Sequence, residues 1–171
     1  EFVKNFEESN VKVTTEIRIG DVYSEVIDYG HKIDVDFILM STKGATGLKE
    51  VFIGSNAEKV IRKSDIPVIC IKKYEEKLEF KNVVFASNFY TESDTVVKYL
   101  KNFVKFFDSK IHLLRVNTES DFETTWYSKK IMQDFIDDSD LSSNTSINIY
   151  NDDSLENGII NFSNEMNIDA A

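Results

Sequence analysis

The chain has 171 residues, one domain's worth at roughly 150 residues per domain, with 42% hydrophobic and 29% charged residues, ordinary values for a packed globular fold. Against 30 acidic residues stand 20 Lys and Arg, a net charge of -10 that repels phosphate backbones; no Lys/Arg-rich run offsets it, so nucleic acid is not an expected partner. No apolar run approaches the ~18 residues of a membrane span, and Glu1-Phe2-Val3-Lys4 is no signal peptide, so no membrane partner is expected either. One cysteine, Cys70, makes neither an intramolecular disulfide nor a zinc cluster, which places the expected location in the reducing cytoplasm.

With one proline and six glycines, regular elements should dominate. The β-branched run 11–19, closed by Gly20, reads as a strand. From Asp21, the residues Val22, Val26, Ile27 and Gly30 share one helical face. Residues 35–40 form a nearly continuous apolar run, the mark of a strand buried on both faces of a parallel sheet. A glycine-bearing loop follows, and Ser55-Asn56-Ala57-Glu58 reads as a capping box opening a helix to about Lys63. Residues 66–71 give the next strand, with Pro67 near its start or on an edge.

The charged stretch 74–81 reads as a linker between a first part, 1–73, and a second, 82–171. In the second part 82–87 is a strand, and Thr91-Glu92-Ser93-Asp94 resembles a capping box. Behind it Val96, Leu100, Phe103 and Phe107 make an amphipathic stripe. Further strands fall at 111–116 and 146–150, with helices at about 122–136 and from Leu155 through Phe162. The polar stretch 137–146 reads as an exposed loop. Such alternation indicates βαβ crossovers and a doubly wound, helix-covered parallel sheet.

Val22, Val26, Ile27 and Asp36 recur as Leu155, Ile159, Ile160 and Asp169 at a constant offset of 133 residues. A repeat of that length is a whole domain, so the first copy is expected to start in its middle and the second to stop early. The lack of an initial Met and the end at Ala171 fit the expectation that both ends are cut. The linker's eight residues reach at most about 26–29 Å, which leaves a permuted single domain open beside the tandem reading.

The segment 40–55 carries the chemistry. It joins the end of a buried strand to a helix start, where unpaired N–H groups and the positive end of the helix dipole converge on an anion. Glycine lets backbone approach phosphate oxygens without an intervening Cβ. The spacing is neither a Walker loop nor a dinucleotide fingerprint. The bland alternative is that Gly44, Gly47 and Gly54 only shape a long turn.

The residues Asp36-Phe37-Ile38-Leu39-Met40, Gly44, Gly47-Leu48, Gly54-Ser55-Asn56-Ala57-Glu58-Lys59-Val60-Ile61 and Ser64-Asp65-Ile66-Pro67-Val68-Ile69 resemble the second half of the universal stress protein family. Residues 82–169 resemble its first half, through weaker landmarks. The resemblance implies an α/β, doubly wound parallel sheet of the universal stress protein (adenine nucleotide hydrolase-like) type, present as parts of two tandem copies. It also implies a stress-response protein that binds or senses ATP or another adenine nucleotide, with Mg²⁺. Binding members carry a glycine, two residues, a second glycine, nine residues, then Gly-Ser or Gly-Thr. Gly44 and Gly54-Ser55 match the later positions, and Ser41 stands in place of the first glycine. If that position requires a positive φ, the substitution costs on the order of 1–2 kcal/mol, up to about 30-fold in affinity. Where binding members carry an Asp near the adenosine, this chain has Asn88, which keeps an acceptor and loses a charge. The implied phosphate contacts are Gly44, Gly54 and Asn56, assisted by the Ser55 hydroxyl, with Met40 and Ser41 beside the ribose.

The rival reading is a structural or interaction module without nucleotide. Family members commonly pair through the last strand, here 66–71, which implies a homodimer or an intramolecular pseudo-dimer. His31 and His112 lack a Cys/His cluster and read as structural, as does Cys70 inside an apolar strand. Asp137-Asp138-Ser139-Asp140 lacks the features of a calcium loop and reads as a solvated turn. Trp126 and Tyr127 read as core aromatics on a helix, a partner-facing role being the alternative. No Ser/His/Asp or Cys/His motif is present, so the protein is expected to be no enzyme; a slow ATPase is the weakest reading, for want of a general base or metal carboxylate.

Overall fold

In the computed structural model, residues 12–41, 54–71, 80–90, 92–141 and 144–171 are described. The chain divides into two compact units, Glu1–Tyr74 and Glu75–Ala171.

The first unit holds α1 (Val22–Lys32), β1 (Ile38–Ser41), α2 (Ser55–Lys63) and β2 (Val68–Ile71). The two strands are parallel, Ile38 facing Val68 and Ser41 facing Ile71. Ile38, Val60 and Ile66 form the core, and Tyr23, Val26, Ile27, Val35, Met40 and Val68 pack against it. The periodic residues of α1 thus face inward, as their spacing predicts.

Residues 12–19, read as a strand, belong to none. A strand needs a neighbour for its N–H and C=O groups, and the described sheet of this unit contains only β1 and β2. The segment is tied to α1 by its side chains instead. Arg18 Nε donates to Glu25 Oε2 at 2.6 Å, and the guanidinium lies 5.3 Å from the Tyr29 ring centre.

The second unit runs β3 (Asn82–Ala86), α3 (Asp94–Phe107), β4 (Lys110–Asn117), α4 (Thr125–Ser139), β5 (Thr145–Asn151) and α5 (Leu155–Met166). Its parallel sheet has the order β3-β4-β5. Beyond β3 on the other side the chain returns: Asp169 N donates to Asn82 O at 2.8 Å, Val84 N donates to Ala170 O at 2.8 Å, and Ala170 bridges Val83 in parallel. Helices cover both faces. Ile111 and Leu113 of β4 meet Met132 and Ile136 of α4 on one side, with Leu100 and Val104 of α3 packed against them. Leu114 and Val116 meet Phe162 of α5 on the other. This is the doubly wound α/β arrangement.

Local sequence sets the ends. Ser93, Thr124 and Ser154 cap α3, α4 and α5 by accepting from Val96, Tyr127 and Asn157 N–H. The cap of α3 is therefore Ser93 rather than Thr91. In a chain poor in glycine, these helices end on Asp108, Asp140 and Asn167 at φ 51–52°, the residues that tolerate the left-handed region best after glycine. The stretch 137–139 continues α4, and Ser139 is buried where a solvated turn was expected; its hydroxyl bonds Phe135 O, as a residue inside a helix can. Val96, Phe122 and Trp126 lie outside the core: Val96 is 38% exposed, Phe122 precedes α4 at 68% and Trp126 is 71% exposed. Periodicity fixes a helical face, but here the face that packs centres on Ser128, Met132 and Ile136. Cys70 is half-buried on β2, because a two-stranded sheet does not enclose its strands.

His112 lies buried on β4, between the strands flanking it. Nε2 is 3.3 Å from Asn82 Oδ1 and Nδ1 is 3.0 Å from Ser146 Oγ, which also accepts from Asn148 Nδ2. Ser146 therefore has its proton for Nδ1, which leaves the ring neutral with its own proton on Nε2. Burial, and secondarily the nearby Lys110 charge, lower the pKa of His112 below the ordinary histidine value. The unfolded chain then binds more protons just below its own pKa of about 6.5. Stability is accordingly full above about pH 6.5 and falls as the pH drops from there through the folded-state pKa. Urea unfolding at pH 7.5 and 5.5 is expected to show this loss in the natural chain and a smaller one in His112→Gln. An equal loss in both would contradict it.

Candidate functional site

In an open α/β sheet the binding crevice lies at the carboxyl ends of the strands. The first unit contributes one such end. Met40 and Ser41 close β1, and Met40 packs against the core at the strand's end. Ser55 and Asn56 are the exposed first residues of α2. Gly44 and Gly47 lie outside the described residues. The capping box expected at 55–58 is not formed: Gly54 is the N-cap, no side chain caps it, and Ser55 is the first helical residue. Glu58 instead pairs with Arg62, Nε to Oε1 at 3.0 Å, one turn along. Among the described residues, no side chain caps the first turn of α2 as Ser93, Thr124 and Ser154 cap α3, α4 and α5.

The second unit contributes the ends of β3, β4 and β5. With β4 on one side of β3 and Ala170 on the other, the end of β3 is the point where the winding direction reverses. The four residues after β3 form a tight, fully bonded loop. Ser87 Oγ accepts from Phe89 N at 2.9 Å and bonds Glu92 Oε1; Asn88 Oδ1 accepts from Tyr90 N at 3.0 Å. Phe89 adopts φ 62°, an uncommon left-handed backbone, with its ring buried against Phe85 and Phe135. The acceptor of Asn88 is therefore already engaged within its own loop.

Arg115 holds this loop from below. The side chain is 1% exposed; Nη1 donates to Asn88 O at 3.1 Å and Nη2 to Asp121 Oδ1 at 3.2 Å. The guanidinium carbon lies 5.4 Å from the Tyr90 ring centre. Two residues on, buried Asn117 donates to Glu123 O and Asn151 Oδ1, each at 3.2 Å, while Tyr90 OH donates to Glu123 Oε1 at 3.0 Å. Tyr90 titrates above the ordinary tyrosine range, chiefly through desolvation and then through that bond. Composition and spacing drew attention to neither Arg115 nor Asn117. The available signal was a charged residue inside the apolar run 111–116, since a buried strand admits a charge only when that charge is paired.

Among the described residues no group of three or more His, Cys, Asp or Glu is placed to hold a metal, and no helix is long and apolar enough to cross a membrane. His31 Nε2 lies 2.8 Å from Asp65 Oδ1 at the surface.

Parallel strands alternating with helices define the α/β fold class. Residues 3–72 match the universal stress protein family, so this stretch of the chain is similar to that family. Two universal stress proteins of Methanocaldococcus jannaschii are 40% and 37% identical over 70 residues, which is 41% of this chain and 41% and 43% of theirs. The chain thus matches less than half the length of these relatives. A universal stress protein structure from Archaeoglobus fulgidus superposes on 98% of this chain and 61% of its own, with a TM-score of 0.73 at 23% identity, a likeness of fold.

Removing the Arg115 guanidinium leaves Asn88 O and Asp121 without their partner. Arg115→Leu, which removes the bonds to Asn88 O and Asp121 and the packing on Tyr90, is expected to cost about 2 kcal/mol. Asp121→Asn, at a half-exposed carboxylate, should cost under about 1 kcal/mol. Chemical unfolding of the two variants checks this; equal costs would contradict it.

Proposed function

We propose that this chain is part of a universal stress protein that binds an adenine nucleotide, ATP with Mg²⁺, where the β1–α2 loop meets the first turn of α2. The observation that carries the reading is Gly54. It stands at φ -56°, ψ 141°, a conformation open to any residue, so backbone freedom does not account for glycine here. A missing Cβ beside uncapped N–H groups at the positive end of a helix suits a phosphate oxygen.

The residues present fit the group. Exposed Ser55 and Asn56 at the start of α2 favour contact with phosphate, and Met40 and Ser41, which end β1, are the residues proposed to meet the ribose. Magnesium would neutralise phosphate charge and be held chiefly by the nucleotide. No general base is assigned, and the protein is read as a cytoplasmic binding or sensing protein rather than an enzyme. The tandem organisation belongs to the same proposal, supported by α1 and α5 beginning at Val22 and Leu155, the repeat's own offset.

Isothermal titration of ATP with Mg²⁺ into the intact protein tests the reading. Saturable binding is expected, weakened at least ten-fold in Gly54→Val, whose backbone should fold unaltered. No saturation up to millimolar ATP, or equal affinity in the variant, would overturn it.

A further inference from the structure

Sheet edges are where proteins meet by strand addition, and natural edges are guarded by Lys, Pro, bulges or shortness. β5 is an edge of the second unit's sheet and has none of these guards. It is seven residues long, Thr-Ser-Ile-Asn-Ile-Tyr-Asn, with no Lys, Arg, Asp, Glu or Pro. It pairs with β4 in unbroken register from Ile111–Thr145 to Asn117–Asn151, so no bulge turns it away. Among the described residues no strand adds to its outer side, and its first six residues are only half-buried.

The surface beside the edge is apolar and exposed. Trp126 on α4 and Ile147 on β5 line one open concavity with Lys129, Lys130 and Gln133. At 71% exposure, the only tryptophan of the chain projects into solvent rather than into the core. Large aromatics exposed next to an open edge are what an interface core needs.

We propose that β5 is a self-association edge, on which the β5 of a second copy adds antiparallel across a two-fold axis at Asn148. Two features favour a second copy as the occupant. An edge strand turned about a two-fold axis meets an equally long, equally unguarded row of N–H and C=O groups. The pattern is also symmetric where it matters: centring on Asn148 sets Ile147 opposite Ile149 of the other copy, twice, on the face where both already pack against the core. Like net charges oppose the approach of two copies, so added salt strengthens the pairing. This edge belongs to the second unit and is independent of nucleotide binding in the first.

The test uses the full chain with Cys70→Ser and Asn148→Cys, oxidised at low protein concentration. Cysteines facing each other across the axis are expected to cross-link into a dimer. Cys70→Ser with Ile160→Cys, at an exposed site on α5, is expected to stay uncross-linked. In the natural chain, Trp126 emission should shift to the blue as concentration rises; Ile147→Lys, checked for folding by circular dichroism, should need at least ten-fold more protein. Failure of position 148 to cross-link, or an emission spectrum independent of concentration, would overturn the proposal.

Discussion

Strand β4 is the constraint on which the second unit depends. It lies between two strands and between two layers of helix, and every residue after Lys110 is buried. Four of those seven are apolar and fill the two cores; the other three are His112, Arg115 and Asn117. A polar group in such a place is costly unless its bonds are made, so each of the three dictates a neighbour. His112 requires Asn82 and Ser146, which ties the starts of β3 and β5 to it. Asn117 requires Asn151 and the backbone of Glu123, which ties the far end of β5 and the segment before α4 to it. Arg115 requires Asn88, Asp121 and the Tyr90 ring, which shapes the crevice at the carboxyl end of the sheet. Alternation places Arg115 and Asn117 on the α4 side, and His112 on the α5 side with Leu114 and Val116.

The two units present contrasting strand ends. In the second, the loop after β3 is held by bonds to Ser87, Asn88 and Arg115, and Phe89 keeps an unfavourable backbone because these bonds over-determine it. In the first, α2 starts at a glycine cap, and its acidic residue turns to Arg62 instead of back to the helix start. A preformed loop and an uncapped helix are the two kinds of part from which nucleotide crevices in α/β sheets are assembled. The proposed site uses the second kind.

Much of this was legible in the sequence. The apolar runs 35–40, 66–71, 82–87 and 111–116 each overlap a strand, and the parallel sheet with its helices follows from their alternation with helices. The 133-residue offset also gave the start of α5 from that of α1. Residues 11–19 have strand composition, but composition cannot supply a neighbouring strand. Ser55 looked like a cap because capping-box residues follow it, yet the chain enters α2 one residue earlier, at Gly54. Helical aromatics usually pack in the core, but α4 buries Ser128 and Met132 and leaves Trp126 at the surface, which packing alone decides. Of the residues proposed for the site, Gly54, Ser55 and Asn56 fall at the start of α2, while Gly44 lies outside the described residues. Arg115 was not legible in the sequence, because its role depends on contacts 27 residues back and six residues on.

Native-state hydrogen exchange on the natural chain and Arg115→Leu tests the organising role of β4 most directly. The account predicts that the amides of 111–116 are the slowest of the second unit in both proteins. The Phe89 and Tyr90 amides should be protected in the natural chain and lose that protection in the variant, while 111–116 remain the slowest. Unchanged protection at Phe89 and Tyr90 in Arg115→Leu, or β4 amides exchanging as fast as those of α3, would contradict it.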